Sequence, residues 1–403
     1  MITSATKFKE TNIGLIPEEW DVIKLGDVVE KIVDNRGKTP PITDFGHELI
    51  ETFQISIEEK YPNLADKEKQ KYVSEETYNS WFRAGHPKKD DILFSTVGAS
   101  IPQWCFIPDD SKYCIAQNLI ALRPNKKLIN SEFLRSYFNT PLFKSQVNGI
   151  VITTAQPSIK VPHLLSLEIA LPPLEEQVKL GGVISSIEDK IELNRKINAN
   201  LSNLTSSMFK KWFVDIGDEL PEGWRIGTFG EAIENFDSRR IPLSSMEREK
   251  RRGQYPYYGA TSIVDYVDDY IFDGSYVLLG EDGSVAKEDG KPFVQYVSGK
   301  IWVNNHAHVL RGKNGFSTEY IKVFLDQVDI FPFVTGAVQP KLNQANMNSI
   351  SMLIPDKKTL DLFNETLTSF FMMILDNENQ IKNLSDIRDS LLPRLMSGKI
   401  RVK

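Results

Sequence analysis

The 403 residues hold only two cysteines and five histidines. Two thiols in so long a chain make no disulfide framework, so Cys105 and Cys114 are expected to stay reduced even where a hairpin brings them near each other. No apolar run reaches the 18 or more residues of a membrane span. The opening MITSATKFKE lacks the hydrophobic core of a signal peptide, and the cytoplasm is the expected compartment. Low-complexity tracts are absent, and 41% hydrophobic with 25% charged residues is ordinary globular usage.

Signatures of catalysis are scarce as well. Gly37-Lys38-Thr39 ends like a phosphate loop, but position 32, where the opening glycine would stand, is Ile32. No GxGxxG follows a strand pattern, and no HExxH or GxSxG occurs. Pro172-Pro173 has no Asn or Asp before it and no aromatic after it, which removes the signature of an amino-methyltransferase. His306-x-His308 puts two imidazoles on one face of an expected strand, yet no cysteine or third histidine lies near in sequence. Packed strand histidines explain them, and no metal site is expected. A net charge of −6 argues against a general nucleic-acid binder while leaving room for a local basic face.

Two long amphipathic stretches organise what is present. Across Leu174–Phe213, Ile184, Ile187, Ile191, Asn194, Asn198, Leu201, Thr205 and Met208 recur at spacings of three and four, with Ile197 and Leu204 widening the stripe. A second stripe runs through Leu367, Phe370, Ile374, Asn377, Ile381, Leu384, Leu391 and Leu395. Both read as helices with a coiled-coil seam, each roughly 50 Å long at 1.5 Å per residue. Ile191, Leu201, Ile374 and Leu384 are expected seam positions. Asn194 and Asn377 occupy equivalent places in it, where a buried amide fixes register by bonding a polar group opposite.

The chain also repeats itself. IPEEWDVIKLGDVVE (16–30) returns as LPEGWRIGTFGEAIE (220–234), a displacement of 204. SKYCIAQNLIALR (111–123) returns as GKIWVNNHAHVLR (299–311), displaced by 188, and TAQPSIK (154–160) as AVQPKLN (337–343), displaced by 183. The last offset continues through both long helices, where Asn194 meets Asn377. The unit is a globular segment followed by a long helix, twice. The expected organisation is a first domain over 1–173, a spacer helix over 174–216, a second domain over 217–356 and a second spacer helix over 357–403. Strand patterns at 91–95, 115–122, 275–279 and 301–310, with helices at 131–138 and 318–327, make the domains α+β.

Polar loops remain as the chemistry. DNRGKTPP (34–41) presents Arg36, Lys38 and Thr39 on a turn stiffened by two prolines. Residues 238–262 gather Arg239, Arg240, Arg248, Lys250, Arg251 and Arg252 with Tyr255, Tyr257 and Tyr258 among them. Arg grips phosphate and guanine edges and Gln addresses adenine, so these loops point to nucleic acid, against the simpler reading of a solvated charged face. Gln156 and Gln339, in matching Gln-Pro loops, are base readers or framework hydrogen bonders. The acidic groups Glu281-Asp282 and Asp265, Asp268, Asp269 read as solvated turns.

The duplicated P-E-x-W opening, the Gln-Pro loop, LPPLEEQ before a long helix and the closing SLLPRLMSGKIRV (390–402) together closely resemble the specificity subunit of type I restriction–modification enzymes, over essentially the whole chain. That resemblance implies two target-recognition domains held apart by two helices packed as an antiparallel coiled coil with pseudo-two-fold symmetry. It implies a bipartite double-stranded DNA target, docking of two modification (methyltransferase) subunits, and restriction subunits joining them. It implies no catalysis by this chain, with S-adenosylmethionine and ATP on partner subunits. The DNA-contacting residues expected on this reading are Arg36, Lys38, Thr39, Lys88, Lys89, Arg239, Arg240, Arg251, Arg252, Tyr257 and Lys341. Competing readings are a stand-alone methyltransferase or nuclease with its own site, or a protein–protein scaffold.

Overall fold

The computed structural model describes residues 7–402 apart from 65, 154, 218, 337 and 338. Thr154, Ala337 and Val338 of the aligned Gln-Pro segments, and the first six residues of the opening, lie outside the described residues. Packing divides the chain into two compact units, Met1–Arg195 with Asn379–Lys403, and Lys196–Glu378. Each unit takes part of each long helix.

The first unit contains β1 (Phe8–Thr11), β2 (Gly14–Pro17), β3 (Asp21–Lys24), β4 (Val29–Val33), β5 (His47–Ile50), β6 (Lys71–Val73), α1 (Glu75–Ser80), β7 (Ile92–Ser95), β8 (Trp104–Phe106), β9 (Cys114–Ile115), β10 (Leu119–Pro124), α2 (Ser131–Phe138), α3 (Pro141–Gly149), α4 (Val161–Leu165), β11 (Glu168–Leu171) and the start of α5 (Leu174–Phe213). Its main sheet is antiparallel in the order β4-β10-β7-β8; a smaller one runs β6-β5-β9, with β5 and β9 parallel.

After α5 the second unit contains β12 (Arg225–Thr228), α6 (Phe229–Ala232), β13 (Ile233–Asn235), α7 (Ser245–Lys250), β14 (Arg252–Tyr258), β15 (Ile263–Val267), β16 (Phe272–Gly280), β17 (Val294–Val303), β18 (Ala307–Gly312), α8 (Thr318–Leu325), α9 (Gln344–Asn348), β19 (Ser351–Ile354) and the start of α10 (Lys357–Met396). One six-stranded sheet runs β13-β18-β16-β17-β14-β15, and only β14 and β17 in it are parallel.

The pairings reproduce the sequence repeat. β3 pairs β11 as β12 pairs β19, and β4 pairs β10 as β13 pairs β18. The parallel contact of Leu49 with Cys114 returns as Tyr257 with Trp302. Gly26 and Gly230, matched in sequence, share a physical reason. A Cβ at Gly26 would lie 3.2 Å from the Leu165 carbonyl of α4, and one at Gly230 would lie 2.9 Å from Asn348 of α9. The helix expected at 131–138 is α2, and that at 318–327 is α8. The single strands expected at 115–122 and 301–310 are each two, because the chain leaves one strand neighbour and joins another across a turn: β9 pairs β5 while β10 pairs β4 and β7.

The matched motifs are joints. In the first unit the Trp20 indole donates to Glu176 Oε2 at 3.0 Å, and Arg401 Nη2 donates to the same oxygen at 2.8 Å. Gln177, the Gln of LEEQ, is buried, accepting from the Asn130 amide at 2.9 Å and donating to the Pro172 carbonyl at 2.8 Å. Gly398 turns the chain after α10 at φ +69°, pressed against Pro17 and Trp20. In the second unit the Trp224 indole donates to Asp356 Oδ2 at 2.9 Å. Thr359 bonds that carboxylate through its hydroxyl and amide, and with Trp224 holds its pKa down at about 2.

Within each unit the helix segments run antiparallel. In the first, Leu180 and Ile184 of α5 share a core with Leu392, Leu395 and Met396 of α10, while Asn194 Nδ2 donates to Gln380 Oε1 at 3.2 Å. In the second, Phe213 meets Phe363 at 4.7 Å between ring centroids, while Asn377 Nδ2 donates to Asn198 Oδ1 at 2.8 Å. Asn194 and Asn377 are thus buried and partnered, each by an amide of the facing helix. Ile191 is buried, and Leu201, Ile374 and Leu384 are half-buried. Leu204, expected to widen the stripe, is exposed.

Charge also anchors α5, which periodicity did not reveal. Arg135 of α2 is ion-paired with Glu188, both buried, and Lys60 Nζ reaches Ser185 Oγ and Asp189 Oδ1 at 2.7 Å each. No helix of the described residues is long and apolar enough to cross a membrane. Both cysteines are free and buried; burial pushes the Cys105 thiol up and the Cys114 thiol up to about 12.

Candidate nucleic-acid interface

The two basic loops identified from sequence fall at the same topological place, between β4 and β5 in the first unit and between β13 and β14 in the second. In the first loop, Asn35 accepts from the Ala84 amide and donates to the Gly85 carbonyl, both at 2.9 Å. This clamp shapes an open cleft of about 500 Å³ lined by Arg36, Lys38, Trp81 and Arg83 among others. Lys38 and Thr39 are exposed; Arg36 is exposed too but pairs with Asp34 at 2.7 Å. Arg83 is an exposed cation that the sequence did not single out, because it stands alone in a turn after α1.

Lys88 and Lys89 are exposed beside a depression of about 390 Å³ that also gathers Arg123, Lys126 and Lys127. Carboxylates thin this positive field: Asp90 pairs with Lys126 at 2.9 Å and Asp91 with Arg123 at 2.7 Å.

In the second unit several expected contacts are structural. Tyr257 is buried, its hydroxyl accepting from the Leu243 amide at 2.9 Å. Arg240 is packed away, donating to Glu281 at 2.7 Å and to the Ala307 carbonyl at 2.6 Å. Arg251 lies over Trp302 and pairs with Asp268 at 2.9 Å, and Arg248 pairs with Asp265 at 3.1 Å. These three arginines are therefore not the free phosphate grips that their clustering implied. Asp265, Asp268 and Glu281 are their counter-ions, Asp268 at the same time standing exposed in a turn as expected. Arg239 and Arg252 are exposed; the Arg239 guanidinium lies over Phe272 and donates to the Ile271 carbonyl at 3.0 Å. Lys341 is half-exposed, 3.5 Å from Glu281.

The Gln-Pro loops are held by backbone in both units. The Gly98 amide donates to the Pro157 carbonyl at 3.2 Å and the Gly283 amide to the Pro340 carbonyl at 3.0 Å, leaving the Gln156 and Gln339 side chains exposed.

The two histidines part company. His306 stands in the turn before β18 and pairs with Asp282, whereas His308 is buried in the strand. Its Nδ1 faces Asp237 Oδ2 at 2.6 Å and its Nε2 faces the Leu342 carbonyl at 2.8 Å. Burial pushes the Asp237 carboxyl up, but His308, the Val309 amide and Asn235 outweigh it and hold it down at about 2. Asp237, Glu281 and His308 are close enough together to ligate a cation. Their oxygens already receive Arg240, Gln344 and Val309, so the cluster is balanced from within the protein.

One framework is repeated twice, with a different polar surface on each copy, which defines a duplicated two-unit protein. The family described as "Type I restriction modification DNA specificity domain" matches residues 17–203 and 221–384, and the chain belongs to it. It is 25% identical to the type I restriction enzyme MjaIX specificity subunit of Methanocaldococcus jannaschii, over 99% of this chain and 97% of that one. It is 23% identical to the type I restriction enzyme HindI specificity subunit of Haemophilus influenzae, over 78% and 87%. The crystal structure of a type I restriction-modification S subunit from M. genitalium shares the fold, with a TM-score of 0.58 at 16% identity over 97% and 99% of the two chains. The chain is a specificity subunit, the DNA-recognising rather than catalytic part of a multi-subunit system.

Proposed function

We propose that this chain reads a bipartite DNA site, one half with each unit, and docks two methyltransferase subunits in the cytoplasm. What supports this is the repetition of one topology with a pinned basic loop at the same place in each copy, joined through helices common to both. In this reading α5 and α10 are the ruler. Each is forty residues of helix, about 60 Å, and its length sets the gap between the half-sites. Phosphate contacts come from Lys38, Arg83, Lys88 and Lys89 in one head and from Arg239, Arg252 and Lys341 in the other. S-adenosylmethionine and ATP belong to the partner subunits, and methyl transfer to the docked ones.

The test is a duplex built from the host's methylated sequence. The chain with its methyltransferase subunits should bind it selectively, and the chain alone should transfer no methyl group. Matched four-residue insertions in α5 and α10, about 6 Å each, should change the preferred gap and leave both half-sites as they were. Altered half-sites, or binding without sequence preference in the full complex, would overturn the reading.

A further inference from the structure

Among the described residues, the two most exposed large apolar side chains are Phe45, at 83%, and Met246, at 71%. They stand in the two topologically equivalent loops, β4 to β5 and β13 to β14. Each loop has a second exposed aliphatic, Ile42 in one and Ile241 in the other. Each also carries an exposed cation near its start, Lys38 in the first and Arg239 in the second. A single exposed Phe or Met is unremarkable on a protein surface. That the two highest exposures fall one in each of two equivalent loops is not explained that way.

Nor are these tips loose. Beside Phe45, the Thr43 amide donates to the Tyr72 carbonyl at 2.9 Å and the Thr43 hydroxyl to the Phe45 carbonyl at 2.8 Å. Gly46 follows at φ +135°, where a Cβ would fall 2.2 Å from the Val73 carbonyl. Met246 lies in α7, whose first turn is closed by the Ser244 amide donating to Glu247 Oε2 at 2.8 Å. Arg248 ties the same turn to the Leu243 carbonyl at 2.8 Å. The backbone is fixed and only the apolar side chain is left to solvent, which is the arrangement of a probe prepared for a partner.

Resting on the DNA-reading function above, we propose that Phe45 and Met246 are base-contacting residues. Each presents an apolar tip to a base face or a thymine methyl while the cations of its own loop hold phosphate. An apolar contact releases no counter-ion, so its loss lowers affinity without changing the salt slope, whereas each lost phosphate contact lowers that slope by about one.

The experiment uses the chain with its methyltransferase subunits and a labelled duplex carrying the host's methylated sequence, titrated across salt concentration. Phe45→Ala should bind roughly tenfold more weakly and Met246→Ala roughly fivefold, both with the wild-type slope and melting temperature. Phe45→Trp should retain binding, and its added emission should change when duplex is present. Wild-type affinity in Phe45→Ala with unchanged Phe45→Trp emission would overturn the contact while leaving DNA recognition standing. A weakened variant with a reduced slope would also overturn it, since the side chain would then act by placing cations. Failure of the wild-type complex to bind that duplex selectively would sink the contact and the recognition function together.

Discussion

Arg135 and Glu188 form a buried ion pair between α2 and α5, with the Arg135 guanidinium 5.4 Å over the centre of the Phe106 ring. Burying one charge without its partner costs roughly 3–5 kcal/mol, whereas replacing both by apolar groups of similar volume is often neutral. Arg135→Met alone should therefore lower the stability of the first unit strongly, and Arg135→Met with Glu188→Met should recover most of the loss. Urea unfolding read by amide exchange in that unit checks the order. A double variant as unstable as the single one would mean that the pair adds net stability beyond its desolvation. This residue shows what a linear sequence conceals. Within SEFLRSYF, Arg135 reads as a surface residue of an amphipathic helix; only the fold brings Glu188 to it from 53 positions away. Arg240, Arg251 and Tyr257 misled in the opposite direction, because composition does not distinguish an arginine with an internal carboxylate from one left to solvent.

At the scale of elements, the two long helices were legible almost whole. A 3.6-residue period survives any packing partner, and Pro172-Pro173 and Pro355 mark where each begins. The strands were less so, since a change of neighbour between β9 and β10 leaves no mark in an unbroken run of β-formers. Seam asparagines stood out as polar residues in an apolar stripe, but which amide each would meet depended on the facing register. Asn198 and Asn377 now make a testable pair. Changing Asn377 alone to Leu leaves the Asn198 oxygen without its donor, a cost of about 1–3 kcal/mol. Changing both to Leu should raise the melting temperature above that of either single variant, as apolar packing replaces two amides. A double variant melting below both singles would show that this seam needs its amides.

For the whole molecule, the repeat showed through from sequence because its framework residues, Trp20 with Trp224 and Gly26 with Gly230, serve joints that recur. The division of each helix between two units did not, since nothing local announces where one core stops using a helix and another begins. Leu392, Leu395 and Met396 complete the core around Trp20, and Arg401 bonds Glu176 beneath it. Removing residues 379–403 should thus strip protection from amides of the first unit while those of the second exchange as before, which hydrogen exchange with mass spectrometry resolves by segment. Equal protection in both would remove the closing segment from the first core.

That arrangement has a consequence for biosynthesis. A chain made from its first residue onward finishes the later unit once the first half of α10, to Glu378, has emerged, but the earlier unit waits for the half that follows. Until the final segment is released from the ribosome, Trp20, Leu180 and Ile184 lack part of their cover, so the head translated first is the one sealed last.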